Sequence, residues 1–409
     1  MGANEPIAVN GRKYAWPERP TVIVCIDGSE PAYMDAAIEA GAMPWLRAAR
    51  SVGSDNLAAA VVPSFTNPNN MSIVTGVPPA VHGISGNFFL DPDTGEEVMM
   101  NDPAHLRVGT IHAAFSRAGA KVAVVTAKDK LRSMLGHGWQ GIAFSAEKAS
   151  EATKAANGIE GVLDFVGLPQ PSVYSAAVSE FLFAAGVRLM ETERPDLMYL
   201  STTDYIQHKH APGTKEANDF YAMMDRYWRR LDELGAVIVL TADHGMNAKF
   251  GEDGQPKVIY LQTLLDERFG AEKTRVILPI TDPYVVHHGA LGSFATAYLN
   301  GGVTVDDVIA RLKDVPGIDL ALTRAEAAGR FELPADRIGD VVIVSARDTV
   351  LGTGAERHDL SGLDAPLRSH GGVTEQTVPL IVSRPTPNLS ATRRLRNFDA
   401  FDLALNEAR

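Results

Sequence analysis

The sequence predicts an α/β protein: a mostly parallel central sheet flanked by helices, interrupted by one inserted α+β module. Three observations carry that expectation. Short apolar runs rich in β-branched residues recur at Thr21–Ile26, Lys121–Thr126, Asp196–Ser201 and Ala236–Thr241, the pattern of strands buried on both faces. Segments of helical texture separate them, as parallel crossovers require. From about Phe250 to Asp364 the texture changes, and Pro379–Val382 then returns to the apolar run of a core strand. The catalytic core is therefore expected in residues 1–249 and 365–409, and the inserted cap module in 250–364.

Taken in order, residues 1–20 are polar and proline-bearing and are expected to form an extended arm. Thr21–Ile26 is the first buried strand, closed by Asp27-Gly28-Ser29, and helices are expected over Pro31–Ala40 and Pro44–Arg50. Leu57–Val62 reads as the next strand. It leads into Pro63–Gly76, where Ser64 and Thr66 present hydroxyls and Asn67-Pro68 opens a helix. Proline suits a first helical turn, since its missing N–H would be unpaired there. Gly76–Gly86 and Asn87–Pro92 are loop, His105–Ala118 helix, and Lys121–Thr126 the next strand. Helices follow over Val173–Glu191 and Lys215–Leu234, with strands at Asp196–Ser201 and Ala236–Thr241. In the insert, strands are expected at Lys257–Leu261, Arg275–Ile280, Phe294–Tyr298 and Asp340–Ser345, and helices at Val305–Lys313 and Arg324–Arg330. There is no internal repeat or low-complexity tract.

The 409 residues are 45% hydrophobic and 22% charged, ordinary values for a globular protein. A formal net charge of −12 argues against a nucleic-acid partner, which would call for a basic face. The one cysteine, Cys25, sits inside an apolar run, is expected to be a buried core residue and fits a reducing cytoplasm. No long apolar stretch suggests a signal peptide or a membrane span.

The chemistry concentrates at the strand ends. In a parallel sheet, ligands bind beyond the carboxyl ends of the strands. Asp27 follows the first strand, Asp204 with His208 follows LMYLSTT, Asp243-His244 follows AVIVLTA, and His370 lies in RSHGG just before the last core strand. Asp204 and His208, four apart, share a face if helical. Asp243 and His244 are adjacent and splay, which suits two neighbouring sites. Carboxylate and imidazole without thiolate favour zinc or a similar metal, and six such groups exceed the needs of one ion, so two are expected. His82 is expected to be structural in its loop, and His105, His112, His137 and His358 to be surface or helix residues. His210, His287 and His288 are left unassigned.

Thr66 belongs to this picture as a hydroxyl at a helix start, where free N–H groups and the dipole favour an anion. An N-cap role is the plain alternative for it. Lys128 and Lys130, in TAKDK after a core strand, are two apart; on an extended segment they would point to one side and converge on a substrate carboxylate. Arg132 is a weaker candidate for the same task.

TNPNNMSIVTG, PPAVHGISGN, DGS, TTDYIQHKH, TADHGM and SHGG together resemble, in type and order, the motifs of the alkaline phosphatase superfamily, nearest its nucleotide pyrophosphatase/phosphodiesterase-like branch. The resemblance implies an alkaline phosphatase-like core and two zinc ions, other divalent metals being open. Asp204, His208 and His370 would hold one ion. Asp27, Asp243 and His244 would hold the other, with Thr66 Oγ also on it, and Asn87 would hydrogen-bond a phosphoryl oxygen. TNPNN in place of TFPNH, together with TAKDK, is most similar to the members that hydrolyse phosphonoacetate to acetate and phosphate through a phosphothreonine. The alternatives are a phosphodiesterase or nucleotide pyrophosphatase with the same metals, and a non-catalytic metal- or phosphate-binding relative. The implied partner is a small anionic phosphonate; a homodimer is an open outcome, because relatives often dimerise.

Overall fold

The computed structural model describes residues 5–281, 289–361 and 363–409. Its centre is a seven-stranded sheet in the order Ser54–Ala59, Thr377–Val382, Val237–Thr241, Thr21–Cys25, Leu197–Ser201, Val122–Thr126 and Ile142–Ser145. Five of the strands pair in parallel, from Val237–Thr241 to Ile142–Ser145. Thr377–Val382 runs against both of its neighbours. Four of the parallel strands are buried along their whole length, which explains their uninterrupted apolar runs. Helices cover both faces, and two separate apolar clusters form above and below the sheet.

The antiparallel strand matters for the site. Its register sets Thr377 beside Ala59 and Leu380 beside Thr241. Its entry end therefore lies at the same edge as the exit ends of the parallel strands. A loop that precedes this strand reaches the place that loops following the others reach, and His370 arrives that way.

A second sheet of four antiparallel strands has the order Thr274–Ile277, Phe294–Leu299, Val341–Ser345 and Ile318–Thr323. The helices Val305–Leu312 and Arg324–Phe331 pack on it. Its apolar cluster also contains Val62 and Phe65. The segment that leads into the Thr66 helix thus lies on the seam between the two sheets.

Several expectations need correction. The first 20 residues are not a plain arm, because Ile7–Val9 and Arg12–Tyr14 form a hairpin around Asn10-Gly11. Both turn residues have positive φ, 49° and 83°, as the tight two-residue turn demands. The strand expected at Leu57–Val62 is Ser54–Ala59, because pairing to Thr377–Val382 decides which residues are in the ladder. The His105–Ala118 helix begins only at Ile111, where Thr110 Oγ1 accepts from Ala113 N at 3.1 Å. A short helix, Pro79–His82, interrupts the 76–86 loop. Ile142–Ser145 and Ile318–Thr323 are strands that the sequence did not announce; both are edge strands that pair on one side only, the first only four residues long and the second partly exposed along its length.

Candidate metal centre

Each candidate ligand stands where a core strand ends. Asp27 follows Thr21–Cys25, Asp204 follows Leu197–Ser201 as the residue before the short helix Tyr205–Lys209, and Asp243-His244 follow Val237–Thr241. Gly28 has φ +70°, and a Cβ there would lie 3.0 Å from Asp204 Cβ, so the turn after Asp27 demands glycine. Gly371, beside His370, has φ +120° and would push a Cβ to 2.4 Å from the Phe65 ring.

All six groups are buried. Asp204, His208 and His370 offer ligand atoms within 4.8 Å of one another, and so do Asp27, Asp204 and His244. Asp204 Oδ2 lies 2.8 Å from His208 Nε2 and 3.8 Å from His370 Nε2. His244 Nε2 lies 3.3 Å from Asp27 Oδ1 and 3.7 Å from Asp243 Oδ2. Asp204 thus adjoins both groups, a shared position the sequence did not suggest. Asp243 stands just outside the second group, its Oδ1 accepting from the backbone N–H of Gly28 and of His244.

The residues fit a metal. His208 Nδ1 faces Arg368 O, His244 Nδ1 faces Gly245 O and His370 Nδ1 faces Ser64 O, at 2.8, 2.9 and 2.8 Å. A carbonyl can only accept, so each Nδ1 carries a hydrogen, which leaves Nε2, facing the carboxylates, as the atom each ring can offer to a metal. Asp27 Oδ1 and His244 Nε2 are buried with no well-formed hydrogen bond among the described residues. Groups of this kind are satisfied by a cation.

Electrostatics point the same way. Burial, then Asp204 and Asp243, push the Asp27 carboxyl well above its usual range. Burial opposes ionisation of Asp204 too, but His208, followed by Lys128 and His370, holds it well below. His244 resists burial because Asp243, Asp27 and Asp204 raise its pKa to about 10. Burial and the neighbouring His244 and His208 lower His370 well below its ordinary value. Without ions, a proton on His244 does part of the neutralising that dications would do.

Thr66 opens the helix Thr66–Thr75, but Phe65 is the N-cap and makes no side-chain cap bond. The plain N-cap alternative is thereby set aside. Asn87 Oδ1 accepts from Asn67 N at 3.0 Å, which places Asn87 at the start of that helix. Asn70, which the sequence reading missed, joins the pieces. Its Nδ2 donates to Thr66 O at 3.0 Å and to Asp243 Oδ2 at 3.3 Å, while its Oδ1 accepts from Tyr199 Oη at 2.7 Å. Its place in TNPNN was the available signal.

Lys128 and Lys130 do not lie on an extended segment. Lys128 is the N-cap and Lys130 the second residue of the helix Asp129–Leu135, so the alternation of an extended segment does not set their directions. Lys128 acts on Asp204, whereas Lys130 lines a cleft with Asn101, Pro103, Ser133 and Lys148. Arg132 pairs with Asp129 at 2.6 Å. Of the histidines expected as surface or helix residues, His112 lies in the helix Ile111–Arg117 but is buried among aromatic rings, and His358 is buried just outside a short helix, where it bonds Gly289 O and Thr353 N. His82 is buried against Ser72, and His210 faces Glu216. Tyr284, His287 and His288 lie outside the described residues.

A family model described as type I phosphodiesterase / nucleotide pyrophosphatase matches residues 21–372. The crystal structure of phosphonoacetate hydrolase from Sinorhizobium meliloti 1021 in complex with phosphonoformate is 60% identical, with TM-score 0.96 and 100% of both chains covered. The complex of that enzyme with phosphonoacetate is 59% identical, with TM-score 0.96 and 100% of both chains covered. The alkaline phosphatase PafA shares the fold at TM-score 0.70 and 16% identity, over 95% of this chain and 96% of its own. Phosphonoacetate hydrolase of Penicillium oxalicum is 64% identical over 31 residues, a match that takes in 7% of this chain and 43% of that protein. With the family pattern running from the first core strand to the His370 loop, the chain belongs to the type I phosphodiesterase / nucleotide pyrophosphatase family.

Proposed function

We propose that the protein hydrolyses the carbon–phosphorus bond of phosphonoacetate, giving acetate and phosphate. The observation that carries this reading is full-length similarity, at 60% identity, to an enzyme of that name solved with phosphonoformate. The clustered carboxylates and imidazoles beside the Thr66 helix support it. Asp204, His208 and His370 would hold one zinc ion, and Asp27, Asp243 and His244 a second, with Thr66 Oγ beside it. When bound, the two ions neutralise phosphoryl charge and lower the pKa of a nearby hydroxyl or water.

Thr66 Oγ gives up its proton and attacks phosphorus, forming an O–P bond as the C–P bond breaks. The helix start and Asn87 face the phosphoryl oxygens. The leaving electron pair is delocalised into the substrate's carboxylate as an enediolate, which Lys128 and Lys130 stabilise until water protonates it to acetate. Water then attacks the phosphothreonine, and phosphate leaves as Thr66 regains its proton. Residues 250–364 serve as a cap over this site, and the single buried cysteine suits the cytoplasm. No helix among the described residues is long and apolar enough to cross a membrane.

Phosphorus NMR tests the reading. Zinc-loaded protein should convert phosphonoacetate to inorganic phosphate and leave an aryl phosphodiester intact. Turnover of the diester alone would establish the phosphodiesterase alternative instead.

A further inference from the structure

Behind the metal centre lies an ion pair with no exposed surface on either side chain: Lys249 Nζ stands 2.9 Å from Glu375 Oε1. Every proton of the ammonium has an acceptor, since it also donates to Ser293 Oγ and to Arg347 O, both at 2.7 Å. Glu375 is equally satisfied. Its Oε1 accepts from Asn247 Nδ2 and Thr374 Oγ1 at 2.6 Å, and its Oε2 accepts from Gly372 N at 2.9 Å.

These bonds converge on the two loops that carry His244 and His370. Glu375 O accepts from Gly245 N at 2.7 Å, and Gly245 O is the acceptor that orients His244 Nδ1. Ser293 N donates to His370 O at 2.9 Å. Gly372, held by Glu375 Oε2, also offers its carbonyl to Ser64 Oγ, and Ser64 O is the acceptor that orients His370 Nδ1. Ser293 and Arg347 belong to the 250–364 segment, whereas Glu375 belongs to the turn before the antiparallel core strand. One ammonium therefore touches the segment on one side and the ligand loops on the other.

A buried ion pair contributes little net stability over apolar side chains of the same shape. What this one decides is geometry. We propose that Lys249 and Glu375 are positioning residues for the reaction: they hold His244 and His370 ring to ring and tie the inserted segment to that arrangement. The inference rests on the reading that these histidines are metal ligands. Outer partners that orient ligating histidines alter metal affinity or activity by about 10–100-fold.

The test measures zinc stoichiometry and affinity by titration, and the visible spectrum of the cobalt-substituted protein, for wild type, Glu375→Gln, Lys249→Met and Lys249→Arg. Glu375→Gln and Lys249→Met should bind zinc at least tenfold more weakly and shift the cobalt spectrum, with kcat falling more than KM rises. Lys249→Arg should recover part of the loss. Should either variant fail to fold, Ser293→Ala and Asn247→Ala each remove one bond to the ion pair and should show the same shifts in smaller degree. Variants that melt at a lower temperature but keep wild-type zinc affinity and cobalt spectrum would overturn the positioning role alone. A wild type that binds no zinc would instead overturn the metal reading, and this inference with it.

Discussion

The rings of His244 and His370 lie face to face, 3.6 Å between centroids and 7° from parallel. Against the effect of burial, Asp243, Asp27 and Asp204 raise the pKa of His244, while burial and then the neighbouring His244 and His208 hold that of His370 well below its ordinary value. In the metal-free protein His244 holds its proton to about pH 10, so zinc must displace it. Binding at pH 7 should release a proton, detected by calorimetry in buffers of different ionisation heat; heats independent of buffer would refute the displacement. The raised pKa also has a stability sign. Its contribution is complete below 6.5, the ordinary value, and is lost as pH rises towards about 10. The melting temperature of chelated protein should therefore fall across that window, and zinc-loaded protein should fall less.

Thr66→Ala should remove turnover while leaving zinc content close to wild type, because Asp27, Asp243 and His244 remain to hold the ion that Thr66 Oγ adjoins. A still-active variant would end the nucleophile assignment. Asn70→Ala removes the link between Thr66 O and Asp243 Oδ2, and a loss of about tenfold or more in both activity and zinc affinity is expected.

The lysines should now separate in effect. Lys128, which acts on Asp204, should matter more than Lys130, which lines the neighbouring cleft. Lys128→Ala is expected to lower phosphonoacetate turnover by about 10²–10³, the usual scale for losing one electrostatic partner. Lys130→Ala should lower it less. Both variants should affect a phosphoryl substrate without a carboxylate far less; equal losses on the two substrates would argue against carboxylate recognition.

His112 predicts an acid sensitivity that has nothing to do with metals. It is fully buried among Trp139, Tyr199 and Phe401, both ring nitrogens lack a hydrogen bond among the described residues, and burial lowers its pKa to about 3. A buried neutral imidazole contributes its full share above 6.5, and that share shrinks as pH falls towards about 3. His112→Phe should therefore gain on wild type by an amount on the order of 2 kcal/mol near pH 4.5, read from denaturant midpoints. An unchanged difference between pH 7 and that pH would show that His112 is not the sensitive group. His82, lowered in the same direction, keeps the variant from becoming fully acid-resistant.

The residue order alone determined four of the five parallel strands, because a strand buried on both faces must be apolar throughout, and it determined the acids and histidines that follow them. It also placed a helix start at Thr66, since proline and asparagine are local signals. Only the tertiary structure decided which groups meet. Strand order brings Asp204 between two histidine-bearing loops, and the reversed strand Thr377–Val382 delivers His370 to the same edge. Nor could the sequence show that Lys128 caps a helix, that Asn70 bridges Thr66 to Asp243, or that Lys249 finds Glu375 126 residues away. Those facts depend on contacts between residues distant in the chain, and local propensity carries no record of them.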